Sequence, residues 1–418
     1  MGTQGKRQLR PNLRHLRAFS LAVQGRNISR AAEAAHITQS AVSQAIGKLE
    51  AYYGCRLLER NAAGVYPTAL GAVAAERIDR ALDRLRAACQ RVCAARGDRR
   101  SGTGAADRML TLSQLAAFLA MTRAGGFKAG ARDLGVSQPS VHRAVRQLQD
   151  VLGVVLLEQT SLGPAPTRSG AEFATSVALI LKEIDLVADD LDEARGRHRG
   201  RVAIGSLALG RTELVPRAVA HAIRSFPDAH FLIQDGTYDQ LLHGLRSGDL
   251  DLIVSAARPL DTDDVVDIPL FEDTLAVVAR SGHPLNVNGL SAVASLADYP
   301  WILPRAGTPT RRLCDAMLES IGGLRPAGLI ETGALVSVRG LLLASDRLTV
   351  LSRHQISVEL QAGLLAVLDV SLPQLSRTIV ATLRRDWKPT QVQAAVLAEL
   401  QSITRYWSAA DRASARRA

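Results

Sequence analysis

Between Ile28 and Glu59 the chain carries short polar side chains at spacings suited to hydrogen-bonding base edges. Gln39, Ser40, Ser43, Gln44 and Lys48 fall on one side of a helical repeat whose other side holds Val42, Ile46 and Leu49. Thr38 stands where an N-cap is needed, and His36-Ile37 is read as a turn. Ala31, Ala32, Ala34 and Ala35 keep the preceding helix slim enough to cross close over its neighbour. A buried back and an exposed polar front of this kind suit a helix-turn-helix lying in a major groove.

Charge points the same way once it is located. The net charge is +11, and residues 1–108 hold 19 Lys/Arg against 8 Asp/Glu, so the whole excess lies in the first quarter. A basic module on a neutral body suits a polyanion such as nucleic acid, the plainer alternative being a solvated basic surface. With 47% hydrophobic and 22% charged residues the chain has the balance of a soluble globular protein. No apolar run approaches the ~20 residues of a spanning helix, and the N-terminus lacks a signal-peptide segment, which predicts a cytoplasmic protein. Cys55, Cys89, Cys93 and Cys314 have no metal-ligand spacing and read as small packing residues, so neither a metal nor another cofactor is expected.

The elements that position these residues occur twice. A shift of 99 positions aligns Asn12–Gly71 with Thr111–Gly170 without a gap. Leu13, Leu16, Phe19, Ala32, Gln39, Val42, Leu49 and Gly54 recur as Leu112, Leu115, Phe118, Ala131, Gln138, Val141, Leu148 and Gly153. The front of the second helix differs: Ser40, Ser43, Gln44 and Gly47 become Pro139, His142, Arg143 and Arg146. Each copy then predicts a two-stranded wing, with Arg56–Glu59 and Val65–Thr68 in the first, and a long helix, about Leu70–Ala95 or Ser169–Arg195. Phe173, Val177, Ile180, Leu181, Ile184, Val187, Ala188 and Leu191 form an apolar stripe on the later helix, which suits dimerisation or packing on its own domain. Gly97–Arg108 has the composition of a flexible basic linker.

From Gly200 short apolar strands alternate with helices, which predicts a mainly parallel sheet covered on both faces. Strands are expected at Arg201–Gly205, Phe231–Gln234, Asp251–Ser255, Thr274–Ala279, Trp301–Leu303, Gly328–Glu331, Leu348–Leu351 and Ile379–Thr382. Helices are expected at Glu213–Ser225, Tyr238–Ser247, Thr310–Ile321, Val336–Leu343 and Thr390–Trp407, with Ala409–Ala418 a frayed tail.

The first copy resembles the N-terminal domain of the LysR-type transcriptional regulators. The residues that carry the resemblance are Leu16–Phe19, Ser29–Ala32, Thr38-Gln39-Ser40-Ala41-Val42-Ser43, Leu49-Glu50, Gly54, Leu57-Leu58-Glu59-Arg60, and Pro67-Thr68 before Gly71. The second copy keeps Ser137-Gln138-Pro139-Ser140-Val141, Leu148, Gly153, Leu156-Leu157-Glu158 and Thr167-Arg168-Ser169-Gly170. It departs at Gly130, His142, Gln149 and Gln159, the last replacing the wing arginine and removing a phosphate contact. Residues 109–405 resemble one complete regulator, with an extra winged helix-turn-helix and linker helix before it. The stretches LADYPWILPRAGTPTRR, GLIETGALVSVRGLLLASDRLTVLS and WKPTQVQAAVLAEL resemble the branch containing the galactose-binding protein regulator, which does not fix a ligand.

The resemblance implies a mixed fold class: two mainly α winged helix-turn-helix domains with long linker helices, then a two-lobed α/β effector domain like a type 2 periplasmic binding protein. The expected division is 12–71 and 109–170 for the two copies, 72–96 and 171–196 for the linker helices, 97–108 for the flexible linker and 201–405 for the effector domain. Its lobes would be about 201–260 with 365–405, and about 268–355. Bases would be faced by Gln39, Ser40, Ser43, Gln44, Gln138, Ser140, His142 and Arg143, and phosphates by Arg26, Arg30, Lys48, Arg60, Lys128 and Arg146. In such a fold ligands bind beyond the carboxyl ends of strands, where Ser206, Leu207, Thr308, Thr310, Arg311 and Thr332 stand. Their plainer roles are helix caps for Ser206 and Thr310, a surface charge for Arg311 and a turn for Thr332.

The implied function is a sequence-specific, homo-oligomeric (dimeric or tetrameric) regulator of promoter DNA, controlled by a small-molecule effector such as a sugar, an aromatic acid or a small carboxylate. The alternative keeps regulation but turns one helix-turn-helix copy into an oligomerisation element. An enzyme is disfavoured, because no nucleophile elbow, Walker loop or dinucleotide glycine fingerprint is present. The two helix-turn-helix copies likewise argue against a solute-binding module.

Overall fold

The computed structural model describes residues 10–62, 64–94, 106–161, 163–260, 262–286, 293–326, 328–370 and 375–415. The chain divides into two units, Met1–Arg199 and Gly200–Ala418.

In the first unit α1 (Leu13–Gly25), α2 (Ile28–Ala35) and α3 (Gln39–Tyr53) precede a ribbon of β1 (Leu58–Asn61) and β2 (Gly64–Pro67), then the 26-residue α4 (Ala69–Ala94). After the short α5 (Ala106–Met109) the order repeats: α6 (Leu112–Ala124), α7 (Phe127–Leu134), α8 (Gln138–Leu152), a ribbon of β3 (Leu157–Thr160) and β4 (Gly163–Pro166), and the 26-residue α9 (Arg168–Glu193). The local chemistry repeats as well. Thr38 caps α3 by accepting from Ala41 N at 3.2 Å, and Ser137 caps α8 by accepting from Ser140 N at 3.4 Å. The left-handed turn between the crossing helices falls on His36 in one copy and on Gly135 in the other, with φ of 54° and 61°. Gly71 and Gly170 lie so close to the backbone leading into each ribbon that a Cβ at either would overlap the carbonyl oxygen of Leu57 or Leu156.

One hydrophobic core runs through both copies and both long helices. It includes Phe19, Leu49, Ile78 and Leu85 from the first half and Phe118, Leu148, Phe173 and Ile180 from the second. Each such fully buried side chain contributes about 1.5–3 kcal/mol. The apolar stripe of α9 is thus covered within its own chain, by Ile78, Ala81, Leu85 and Cys89 of α4 among others. Cys89 is buried and its thiol is pushed up to about 12 by desolvation, as suits a packing residue.

Two polar features accompany this core. Arg77, 1% exposed, donates to Asp190 Oδ2 at 2.6 Å and to Glu183 Oε2 at 3.0 Å. Burial alone would push the Glu183 carboxyl up, but Arg80, Arg77 and Arg84 together hold it below its ordinary value. The expected linker 97–108 lies outside the described residues up to position 105. Its last part is not a linker: Ala106–Met109 is helical, Ala106 and Asp107 are buried, and the Arg17 guanidinium donates to the Asp107 and Arg108 carbonyls.

The second unit holds β5 (Arg201–Ser206), α10 (Val215–Ser225), β6 (His230–Gln234), α11 (Tyr238–Ser247), β7 (Leu252–Ala256) and β8 (Val265–Arg280). There follow β9 (Trp301–Leu303), α12 (Pro309–Ser320), β10 (Ile330–Glu331), α13 (Leu335–Leu343), β11 (Leu348–Ser352), α14 (Ser357–Gln361), β12 (Leu365–Val367), β13 (Leu375–Arg384) and α15 (Gln391–Ala415). Among the described residues the strands form one sheet in the order β10-β9-β11-β8-β13-β7-β5-β6, with β12 also on β8.

The expected mainly parallel sheet is corrected to a mixed one. β5 with β6 and β7, and β9 with β10 and β11, are parallel. The long β8 and β13 pair antiparallel with each other and with the strands beside them. The expected strand at Thr274–Ala279 is only the end of the 16-residue β8, whose earlier part is not an apolar run. The expected start of α10 at Glu213 moves to Val215, because Gly210–Leu214 forms a π-helical turn first. The expected frayed tail at Ala409–Ala418 is corrected as far as Ala415, to which α15 stays helical, and positions 416–418 lie outside the described residues. No helix among the described residues is long and apolar enough to cross a membrane.

The end of α9 is crowded with acid. Asp189 is pushed up to about 6, chiefly by burial and further by Glu193, Asp190 and Asp192. An unfolded aspartate releases its proton near 4, so between about pH 4 and 6 the folded chain holds a proton that the unfolded chain has lost. The stabilisation this gives is lost as pH rises through 6. Asp189→Asn is therefore expected to raise the Tm at pH 7 and to flatten the fall in Tm between pH 4.5 and 7, checked by thermal melts across that range.

Candidate nucleic-acid interface and ligand cavity

The polar front of α3 is exposed at Gln39, Ser40, Gln44 and Lys48, while Val42, Ala45, Ile46 and Leu49 are buried behind it. Ser43 is half-buried and accepts from Arg60 Nη2 at 3.3 Å, which ties the wing to the helix. Gln39 donates to Ser29 Oγ at 2.8 Å and Ser40 lies 2.9 Å from Thr38 Oγ1, so both are preset by neighbours. Arg26 and Arg30 are exposed around α2. The Arg26 guanidinium lies over the Tyr66 ring, and its carbonyl accepts from Val65 N at 3.0 Å, pinning β2 to the α1–α2 turn.

The second copy exposes Gln138, Ser140, His142, Arg143 and Arg146 along α8, with Lys128 on α7. His142 packs on the Phe127 ring with centroids 4.9 Å apart. Two departures weaken the second wing. Gln159 replaces Arg60, and Pro164 stands where Val65 donates, so that pinning bond has no donor. Gln149, by contrast, keeps the role of Glu50: Glu50 Oε1 accepts from Leu57 N and Leu58 N at 2.8 and 3.1 Å, and Gln149 Oε1 from Leu156 N and Leu157 N at 2.8 and 3.2 Å. Gly130 replaces Ala31 where a Cβ would crowd the Ala120–Met121 backbone, so α7 sits tighter on α6.

In the second unit a cavity of about 230 Å³ opens beyond the ends of β5, β7 and β9. Leu207, Thr308, Thr310 and Thr332 line it. Thr308 is the cap of α12, accepting from Arg311 N at 3.2 Å, and so takes the role expected of Thr310. The Thr310 hydroxyl instead accepts from the Arg377 guanidinium, and Thr332 Oγ1 accepts from Ala334 N at 3.2 Å. Two expected residues do not line the cavity. Ser206 is fully buried and turned to its neighbour's carbonyl, capping no helix. Arg311 is paired with Asp315 and Glu331 and donates to the Pro304 carbonyl.

Sequence reasoning missed three arginines on the cavity wall. Arg211 pairs with Asp235 at 2.6 Å. Arg377 pairs with the fully buried Asp273 at 2.9 Å, and the Ser352 hydroxyl donates to the same carboxylate. Arg258 stacks on the Tyr238 ring at 4.3 Å, and its buried Nε has no hydrogen-bond partner. Burial lowers the Arg258 pKa, which marks the cost of holding that cation there. Among the described residues none that lines the cavity is acidic, and the rest of the lining is largely apolar: Leu207, Ala208, Leu335, Val338, Val350 and Ile379. Arg377 and Arg258 stand beyond or within strands remote in sequence from the loops, so only the strand register brings them together.

The Glu50 and Gln149 brackets are directly testable. Gln149→Ala leaves two N–H groups without their acceptor and is expected to cost about 1–3 kcal/mol in chemical denaturation, whereas Gln149→Glu keeps the acceptor and is expected to change little.

Comparison with known proteins accords with these features. Residues 195–404 match the family model described as LysR substrate binding domain, and residues 13–72 and 112–171 both match the bacterial regulatory helix-turn-helix protein, lysR family. The HTH-type transcriptional regulator GalR of Pseudomonas putida is 32% identical over 394 residues, covering 94% of this chain and 97% of that protein, so the alignment passes through both matched copies. The HTH-type transcriptional regulator GbpR of Azospirillum brasilense is 28% identical over 251 residues, 58% of this chain and 72% of that protein. A cysteine-to-aspartate variant of full-length OxyR of Pseudomonas aeruginosa matches in fold with a TM-score of 0.55 at 21% identity, over 71% of this chain and 95% of that one. The chain belongs to the LysR family, a family of transcriptional regulators and not of enzymes, with a DNA-binding helix-turn-helix part and an effector-binding part.

Proposed function

We propose that this regulator works in the cytoplasm, reads promoter DNA through both helix-turn-helix copies and answers to a small carboxylate with an apolar body bound between two lobes of its second unit. The observation that carries the DNA reading is the matched pair of exposed fronts on α3 and α8, each set on a buried back and a capped first turn. Glutamine amides suit adenine and arginine suits guanine in the major groove. Copy one would then read chiefly through Gln39 and Gln44, and copy two through Gln138 and Arg143, with Arg26, Arg30, Lys48, Arg60, Lys128 and Arg146 on phosphates.

The second reading, in which one copy is an oligomerisation element, draws on the weakened wing of copy two, where Gln159 and Pro164 stand. The salt dependence of DNA binding separates the two. Each phosphate neutralised steepens the slope of log K against log salt by roughly 0.9. Arg143→Ala with Arg146→Ala is expected to flatten it by between one and two such steps if copy two touches DNA. An unchanged slope would assign reading to copy one alone.

The carboxylate assignment rests on Arg258, a cation whose buried Nε has no hydrogen-bond partner, in a largely apolar cavity whose wall carries no acidic residue among the described residues. An arginine fork holds a carboxylate through paired charge-assisted hydrogen bonds. In a thermal-shift screen of the full chain, small aromatic and branched carboxylates are expected to raise the Tm of the effector unit. At a hundred times the Kd the gain is about 2.7 kcal/mol. Arg258→Gln should abolish the shift, and neutral sugars shifting the variant and the parent equally would sink the assignment. Assembly of several copies, which membership of the family suggests, then uses surfaces other than the apolar stripe of α9, since α4 covers that stripe.

A further inference from the structure

Arg77, Arg84 and Arg91, each seven residues from the next on α4, face Asp190, Glu183 and Ser176 on α9. Arg77 meets Asp190 at 2.6 Å, Arg84 meets Glu183 at 3.4 Å and Arg91 Nη2 donates to Ser176 Oγ at 3.3 Å. The helices therefore run antiparallel. The 99-residue offset between copies carries Arg77 onto Ser176, Arg84 onto Glu183 and Arg91 onto Asp190. Exchanging the two helices thus swaps the outer pairs and leaves Arg84–Glu183 at the centre. The ends agree: Cys93 on α4 lies against the Leu152 carbonyl at the end of α8, and Arg195 beyond α9 donates to the Tyr53 carbonyl at the end of α3.

This is the pattern of a two-fold dimer interface with its charges sorted. Two α4 helices in the same register would set Arg77 against Arg91 and Arg84 against itself. Two α9 helices would set Glu183 against Glu183. Only the unlike pair places every charge beside a partner, in a seam where an unpaired charge is strongly disfavoured.

We infer that the partner of α4 is α9 of the same chain, chosen by this charge sorting, so that one polypeptide carries a complete two-headed DNA-binding unit whose half-sites are unlike. The half-site clause rests on the DNA reading proposed above; the pairing clause does not.

A cis–trans test with the full chain separates pairing within a chain from exchange between chains. Arg77→Asp or Asp190→Arg alone is expected to lower the Tm of the first unit by roughly 5–10 °C, and the double variant in one chain, which returns a cation to the seam beside Glu183, to restore most of it. Co-expressing the two single variants should leave the Tm low. Exchange between chains would recreate one wild-type and one swapped pair, so recovery in that mixture overturns the inference. If the single variants do not accumulate, hydrogen exchange on wild-type protein decides: α4 and α9 amides should stay equally protected on dilution from micromolar to nanomolar, and loss of protection overturns it. For the half-sites, duplexes selected from a random library by the wild-type chain should carry two unlike motifs, with Gln39→Ala and Gln44→Ala degrading one alone. A palindrome overturns the half-site clause. Failure to select any duplex overturns it together with the DNA reading, and leaves the pairing to the first two measurements.

Discussion

A guanidinium buried between two carboxylates sets the geometry of the first unit. Arg77 is all but inaccessible and is held by Asp190 and Glu183, so any slide of α4 along α9 would strand a charge away from water. Apolar side chains alone tolerate such a slide, since Ile78, Leu85 and Cys89 would find other hydrophobic neighbours a turn away. The ion pairs do not. They also answer an electrostatic problem, because Asp189, Asp190, Asp192 and Glu193 crowd the C-terminal end of a helix, where the backbone dipole disfavours negative charge. Arg77 offsets part of that cost and Asp189 answers by holding its proton more tightly.

A comparable constraint organises the second unit. β8 and β13 are long, antiparallel and central, with shorter parallel strands on either side. Asp273 on β8, fully buried, holds Arg377 on β13, and Arg377 in turn holds Thr310 at the start of α12. The cavity wall is thus fixed from beneath by a salt bridge, leaving Arg258 as the wall arginine whose buried Nε has no hydrogen-bond partner.

Much of the helical architecture was legible because its signals are local. Thr38 as a cap, the stripe of Val42, Ile46 and Leu49, and the recurrence of Phe19 as Phe118 and Leu49 as Leu148 need only neighbours or a fixed offset to be seen. The long antiparallel strands were not, because Asp267, Pro269, Glu272 and Asp273 break the apolar run that marks a buried strand, although each is accommodated by register. The cavity was half legible. The loops holding Thr308, Thr310 and Thr332 follow strand ends and could be found, whereas Arg377 enters from near the start of β13 and Arg258 from the segment just after β7, both far away in sequence. Arg311 was drawn to the cavity by its neighbours, yet two nearby carboxylates hold it outside. The apolar stripe of α9 announced a partner without naming it. The arginines of α4 and the acids of α9 were the missing signal, and they read as an ordinary charge excess until the helices are laid side by side.

The side-chain oxygen that Glu50 and Gln149 each offer to two backbone N–H groups shows what duplication within one polypeptide permits. In a dimer of identical chains every substitution falls on both halves at once, so a change that suits one half-site and harms the other is paid twice over. Two copies in one chain are released from that bond. Where the bracket behind the recognition helix requires only an acceptor, a carboxylate and an amide have drifted apart without consequence for the scaffold; where the wing meets its surroundings, Arg60 and Val65 have become Gln159 and Pro164 on one side only. Asymmetry of this sort can accumulate under selection one half at a time, a route closed to a symmetric assembly.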